Sequence, residues 1–386
     1  MFRPSFFHRL SGFYFSYFAF IGAFAPYFAL YLQSLGYSAA QIGLLLAVNP
    51  VARIFGPNFW GWLSDHYRAR AGLIRFTAVG TTVTFTAVFF NHGFGWMLAA
   101  LLLLNVFWCG VLPLAESATL SLVGSNVGAY GRIRLWGSVG FVAVVIAAGY
   151  ALDYFGVRAL APMVLVTLVL MAASTFLLPR DRAPAQHAGH ASILTILARP
   201  DVLALMAGFF LMQVAHGPYN AFYSIHLVEA GYSKTAVGWL WSLGVIAEIG
   251  LFVLLPRLLR VYSLNQILLF SFGCTFVRLL MIAWGVGSLP VLLAAQLLHA
   301  ITFGAYHAAG VAMMHQIFRG RNQARGQAIY TSLGYGLGGT LGILMAGYSW
   351  EALGSQWTFT IAATAALLAL MVVAWKPVPL PARSGA

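Results

Sequence analysis

The chain has 386 residues, 61% of them hydrophobic and only 8% charged, with a formal net charge of +13 and a mean hydropathy of +0.85. An ordinary soluble domain carries roughly a quarter charged residues, so a soluble protein of this composition could not cover its surface. At about 20 apolar residues per bilayer crossing and about ten for each loop, the length accommodates about twelve spans and leaves no room for a separate catalytic domain. The basic residues are scattered singly, which argues against a nucleic-acid surface. Cys109 and Cys274 lie in apolar runs without metal-ligand spacing, which argues against a disulfide framework or a zinc site.

The N-terminus runs from Met1-Phe2-Arg3-Pro4 straight into the first apolar stretch with no small-residue cleavage site, so a retained first span is expected rather than a signal peptide. Apolar runs predict spans near residues 12–33, 39–62, 73–91, 96–122, 133–153 and 157–178, then near 202–228, 235–256, 264–285, 289–317, 326–349 and 355–375. With the N-terminus inside, 17 of the 21 Lys and Arg fall on the cytoplasmic side, and only Arg158 and Lys234 fall on the other. The positive-inside rule therefore places both termini in the cytoplasm. Arg132 and Arg134 stand at the edge of the fifth span.

Residues 179–200, with Arg180, Asp181, Arg182, Pro184 and two histidines, have linker composition. The expected organisation is an N-terminal six-helix half over 1–178, a cytoplasmic linker over 179–200, a C-terminal half over 201–376 and a cytoplasmic tail over 377–386. An offset of 195 carries Gly22 to Gly217, Leu32 to Leu227, Gly36-Tyr37-Ser38 to Gly231-Tyr232-Ser233, Gly43 to Gly238 and Ala52 to Ala247. An offset of 198 carries Gly149-Tyr150 and Gly156 to Gly347-Tyr348 and Gly354. The halves are duplicates. Six spans separate the copies, so both have the same orientation and are related by an axis along the membrane normal.

Ionisable groups at bilayer depth are costly and functional by default. Within the spans these are Arg53, Glu116, Glu248 and Arg278, with His216, His299 and His307 nearby. Two acids and two bases point to pairing inside a bundle. For Glu248 the alternatives are a structural salt bridge to Arg278 and a carboxylate that loads and releases a proton as helices rearrange. Arg53 falls on Glu248 under the repeat, marking a symmetric pair of cavity positions. His299 and His307 are about 80° apart around a helix and can border one cavity. Arg134 is the expected substrate-binding residue, because its planar fork matches a carboxylate or a pair of hydroxyls; the alternative is one more cytoplasmic charge. Phe141, two turns on, can supply a ring face.

The stretch Gly61-Trp62-Leu63-Ser64-Asp65-His66-Tyr67-Arg68-Ala69-Arg70 resembles the loop signature of the major facilitator superfamily, with the usual second glycine replaced by Tyr67 or Arg68. The resemblance implies a conformational latch at Gly61, Asp65 and Arg70. Glu116 with Gly131-Arg132-Ile133-Arg134-Leu135-Trp136-Gly137 is similar to the sugar-contacting segment of lactose permease, although an aromatic there, a tryptophan, is Phe141 here. The same likeness groups Glu248, Arg278 and His299 as a proton-coupling cluster. Thr302 stands where that permease has a glutamate three residues beyond its histidine. Residues 230–248, and Leu298-His299 through His307, look most like the 3-phenylpropionic acid transporter branch.

The expectation is therefore an all-α membrane protein of twelve transmembrane helices in two six-helix halves related by pseudo-two-fold symmetry, the major facilitator fold. It would sit in a bacterial inner membrane as a monomer among lipid. The function implied is import of a small organic solute by alternating access, driven by a proton gradient with no cofactor and no metal. A phenylpropionate-like aromatic carboxylate is the favoured substrate, bound by Arg134, Glu116, Phe141, His216 and His307. Alternatives are a sugar or nucleoside symporter, a proton-driven efflux pump, or a membrane sensor that transports nothing. No constellation of nucleophile and base suggests an enzyme.

Overall fold

Each apolar run becomes a helix, and the glycines between runs take the backbone around corners that other residues resist. Gly36 and Gly231 have φ of 87° and 92°, and Gly156 and Gly354 both have 83°. Left-handed φ at these equivalent positions is favourable only without a Cβ, so the duplicated glycines are duplicated turns. The structure, a computed structural model, describes residues 4–67, 69–90, 92–124, 126–179 and 193–379. Arg3, Arg68, Arg180, Arg182, Arg383, most of the linker and most of the tail lie outside the described residues.

Among the described residues eleven helices are long and apolar enough to cross a membrane: α1 Phe6–Ser34, α2 Ala39–Tyr67, α3 Arg70–Phe89, α4 Phe94–Val123, α5 Gly128–Phe155, α6 Val157–Phe176, α7 Pro200–Glu229, α8 Lys234–Val261, α9 Leu264–Gly285, α10 Leu289–Ile317 and α12 Ser355–Trp375. Between the last two lies α11, residues 323–353, a continuous helix whose middle stretch, Thr331–Gly338, is π-helical. Gln323, Arg325, Gln327 and its many glycines lower its hydropathy, but its length matches its neighbours. The all-α membrane architecture of twelve long helices is the expected one. The outward faces carry Phe55, Phe76, Val83, Val253 and Phe270, each more than half exposed; such apolar surface suits lipid and not water.

The chain packs as two compact units, one of Met1–His187 with Asn220–Ser242 and one of Ala188–Tyr219 with Leu243–Ala386. The facing ends of α7 and α8 thus pack in the first unit, although they belong to the second sequence half. In the first unit α1 packs on α5 and α6, and α4 on α2 and α3. Pro26 interrupts α1, because it lacks an amide hydrogen, and the helix resumes at Phe28. A Cβ at Gly22 would stand 2.7 Å from the Phe141 carbonyl oxygen, so α1 and α5 meet backbone to backbone. In the second unit α9 packs on α10 and α12, and Gly217 meets Gly342 of α11 in the same manner. The repeated glycine therefore marks a repeated helix crossing. The second unit's core gathers Phe209, Phe272, Tyr306, Met313 and Tyr330, all nearly inaccessible.

Candidate functional site

Two polar clusters stand out, one in each unit. In the first unit, Asn126 caps α5 by accepting from the Ala129 amide at 3.0 Å. The helix therefore starts before the apolar run and carries Arg132 and Arg134 in its first two turns. Arg134 Nε lies 3.9 Å from Glu116 Oε1 of α4, and both side chains are about one-third exposed, 34% and 35%. The guanidinium carbon sits 3.9 Å from the centre of the Phe18 ring and 5.9 Å from that of Tyr14, both on α1. Gly137, one turn along α5, makes room for it: a Cβ there would meet Phe18 at 2.7 Å and Arg134 Nη1 at 2.9 Å.

The surrounding hydroxyls and indole fix these aromatics. Tyr14 donates to Thr119 Oγ1 at 3.3 Å, Trp108 Nε1 donates to the Tyr17 hydroxyl at 3.0 Å, and Tyr130 stands beside Glu116. Arg53 is exposed on α2 and is an electrostatic neighbour of Tyr17. Phe141 is 8% exposed, with its backbone against Gly22. The ring on Arg134 is Phe18, which the sequence hides among the many aromatics of α1; the glycine at 137 is the one signal in the sequence that marks the contact. At the end of α2, Asp65 is exposed and Gly61 half-buried, while buried Arg70 donates to Ser121 Oγ at 3.0 Å.

In the second unit Arg278 of α9 is wholly inaccessible. Its Nε donates to the Ala295 carbonyl at 2.9 Å, its Nη1 to Thr302 Oγ1 at 3.3 Å, and its guanidinium carbon sits 4.1 Å from the centre of the Tyr219 ring. Tyr219 in turn donates to Gln296 Oε1 at 3.1 Å and lies 5.5 Å, ring to ring, from His299. His216 hydrogen-bonds through Nδ1 to the Met212 carbonyl at 2.8 Å. Arg278 Nη2, Gln296 Nε2, His216 Nε2 and His299 Nδ1 are buried without a hydrogen-bond partner among the described residues. Unsatisfied buried polar atoms are few in native proteins and call for explanation.

Beyond His299 the helix α10 becomes π-helical over Ala300–Ala305, a geometry that recurs at functional sites. Glu248 of α8 packs on this stretch: a Cβ at Gly304 would stand 2.9 Å from Glu248 Cγ. Glu248 is also an electrostatic neighbour of Tyr219. Phe303 stacks on His299, and exposed His307 is hydrogen-bonded through Nδ1 to the Tyr335 hydroxyl at 2.9 Å. The structure thus gathers Arg278, His216 and His299 around Tyr219, with Glu248 beside them and His307 two turns on. Among the described residues no cluster of His, Cys, Asp or Glu is arranged to hold a metal ion.

Residues 7–361 match the MFS_1 like family. The chain belongs to that family. This major facilitator is 32% identical over 376 residues to the probable 3-phenylpropionic acid transporter of Escherichia coli, covering 93% of this chain and 95% of that one. It is 27% identical to the maltose permease of Geobacillus stearothermophilus, with 94% and 93% covered. Its fold superposes on a mutant of the nucleoside transporter NupG with a TM-score of 0.85 at 16% identity, covering 97% and 100% of the two chains. The relatives are transporters, and this multi-pass membrane protein is one too, not an enzyme.

Proposed function

We propose that this transporter imports a small aromatic or arylalkyl carboxylate together with a proton, across a bacterial inner membrane in which both its termini are cytoplasmic. The observation that carries the reading is Arg134, a guanidinium laid on Phe18 and left one-third exposed. It can hold a carboxylate through two charge-assisted hydrogen bonds, while half-buried Phe18 offers ring surface beside it to an aromatic group. The 32% identity to the probable 3-phenylpropionic acid transporter supports the same substrate class.

Glu116 bears on the rival. At 3.9 Å from Arg134 an ionised Glu116 neutralises the arginine and suits the hydroxyls of a sugar, a reading favoured by the likeness to a maltose permease. A proton taken up by Glu116 would relieve that competition directly; Glu248, in the second cluster, is the other carboxylate able to carry the coupled proton. Uptake of labelled 3-phenylpropionate and of maltose into energised right-side-out vesicles decides between them. Arg134→Lys keeps the charge but loses the fork, so phenylpropionate uptake at low concentration should fall by about 10- to 100-fold, the loss of one or two charge-assisted hydrogen bonds. Wild-type uptake of maltose but not of the aromatic acid would establish the sugar reading instead.

A further inference from the structure

Inside the first unit, the last turn of α5 meets the first turn of α8. Asp153 accepts from the Lys234 amide through Oδ1 at 3.0 Å and from the Thr235 amide through Oδ2 at 2.8 Å. Lys234 Nζ lies 3.4 Å from the same Oδ1. The first amides of a helix lack intrahelical acceptors, and the helix dipole favours a carboxylate beside them. Asp153 is 81 residues from the nearer amide, so a side chain of the first sequence half caps a helix of the second. That cap is not needed to make α8, because Ser233 already accepts from the Ala236 amide at 3.1 Å.

One turn from Asp153 the two helices touch through glycines. A Cβ at Gly149 would stand 2.6 Å from the Lys234 carbonyl oxygen, and one at Gly238 would stand 2.8 Å from that of Val145. Tyr27, wholly buried, sits in the seam with its hydroxyl 2.8 Å from the Val145 carbonyl and 3.2 Å from that of Lys234. Farther out, Gln33 donates to Glu229 Oε1 at 3.0 Å. Apart from Tyr27 the glycine seam has no interlocking side chain, and its charge-assisted contacts are those of Asp153. The Asp153 and Lys234 side chains are 29% and 25% exposed, which lets water replace each bond as the helices part. The offset that duplicates Gly149 as Gly347 carries Asp153 to Glu351, another carboxylate.

We propose that this seam is the extracytoplasmic gate of the transporter and that Asp153 is its releasable latch, closed while it caps α8 and open when water takes over the cap. The side of the membrane rests on the orientation proposed above; the latch itself does not.

The test uses Ser242→Cys, one turn below Gly238 and wholly buried, in full-length protein carrying Cys109→Ser and Cys274→Ser. A membrane-impermeant maleimide is applied to right-side-out and to inside-out vesicles. Asp153→Ala should raise the labelling rate from outside by about tenfold, as expected for loss of a cap and a dipole contact. Asp153→Asn, which keeps one acceptor, should raise it less and serves if the alanine variant does not fold. Gly149→Leu, which wedges the seam, should also raise it. If Gly149→Leu exposes the cysteine and neither Asp153 variant does, Asp153 is not the latch. Unchanged labelling in all three overturns the gate as well. Faster labelling only in inside-out vesicles refutes the orientation and leaves the latch standing.

Discussion

Glu248 occupies a telling position: on α8, against the π-helical stretch of α10, and close to the ring on which Arg278 lies. A carboxylate there can exchange a proton only if moving helices change its surroundings, and a π-helical stretch is a natural place for such movement. Glu248→Gln removes the titratable group at nearly constant volume. We expect it to abolish uphill accumulation of solute in energised vesicles while exchange between the two sides survives; normal accumulation would make Glu248 structural. The ionisable residues are legible in the sequence because each interrupts an apolar run, but their contacts are not. Arg278 donates to the Ala295 carbonyl, which nothing in the sequence sets apart, and to the Thr302 hydroxyl, which the sequence marks by its place in the resemblance but not as a partner of Arg278. Arg134 lies on Phe18, and no periodic pattern joins the two, because they belong to different helices.

Helix positions are legible because a span of about 20 residues leaves little freedom in where it starts and stops. The start of α5 differs from its apolar run because a cap at Asn126, not hydropathy, sets it. The close crossings are visible in the sequence only as glycines, and the repeat tells which matter. Gly22 and Gly217 are equivalent, and both bring two backbones together. Gly12 lies on the same helix as Gly22 with open space where a Cβ would stand. Gly22→Ala should therefore lower stability by about 1–3 kcal/mol through overpacking. Gly12→Ala should raise it by about 0.5–1 kcal/mol by restricting the unfolded backbone. Thermal unfolding in detergent measures both; a Gly22→Ala protein as stable as wild type would mean that α1 and α5 do not meet so closely.

The arrangement of the whole chain follows from duplication: one set of glycine turns, written twice, generates two sets of six helices with the same direction through the bilayer. Duplication alone does not choose which end faces the cytoplasm. That choice rests on the arginines, which crowd the even-numbered connections while Arg158 and Lys234 stand nearly alone at the others. Gly124 and Gly320, also left-handed, lie in the basic connections, whereas the duplicated glycine turns, Gly36 with Gly231 and Gly156 with Gly354, are on the poorer side. In a background with Cys109→Ser and Cys274→Ser, single cysteines at Ser38 and Ser355 lie directly beside two of those turns and should react with an impermeant maleimide added outside intact cells. One at Gln186, in the segment joining the halves, should react only after the membrane is made permeable. Reaction of Gln186→Cys in intact cells with protection of the other two would invert the protein. Equal reaction of all three would break the twelve-span topology, because an even number of crossings separates Ser38 from Ser355 and an odd number separates either from Gln186.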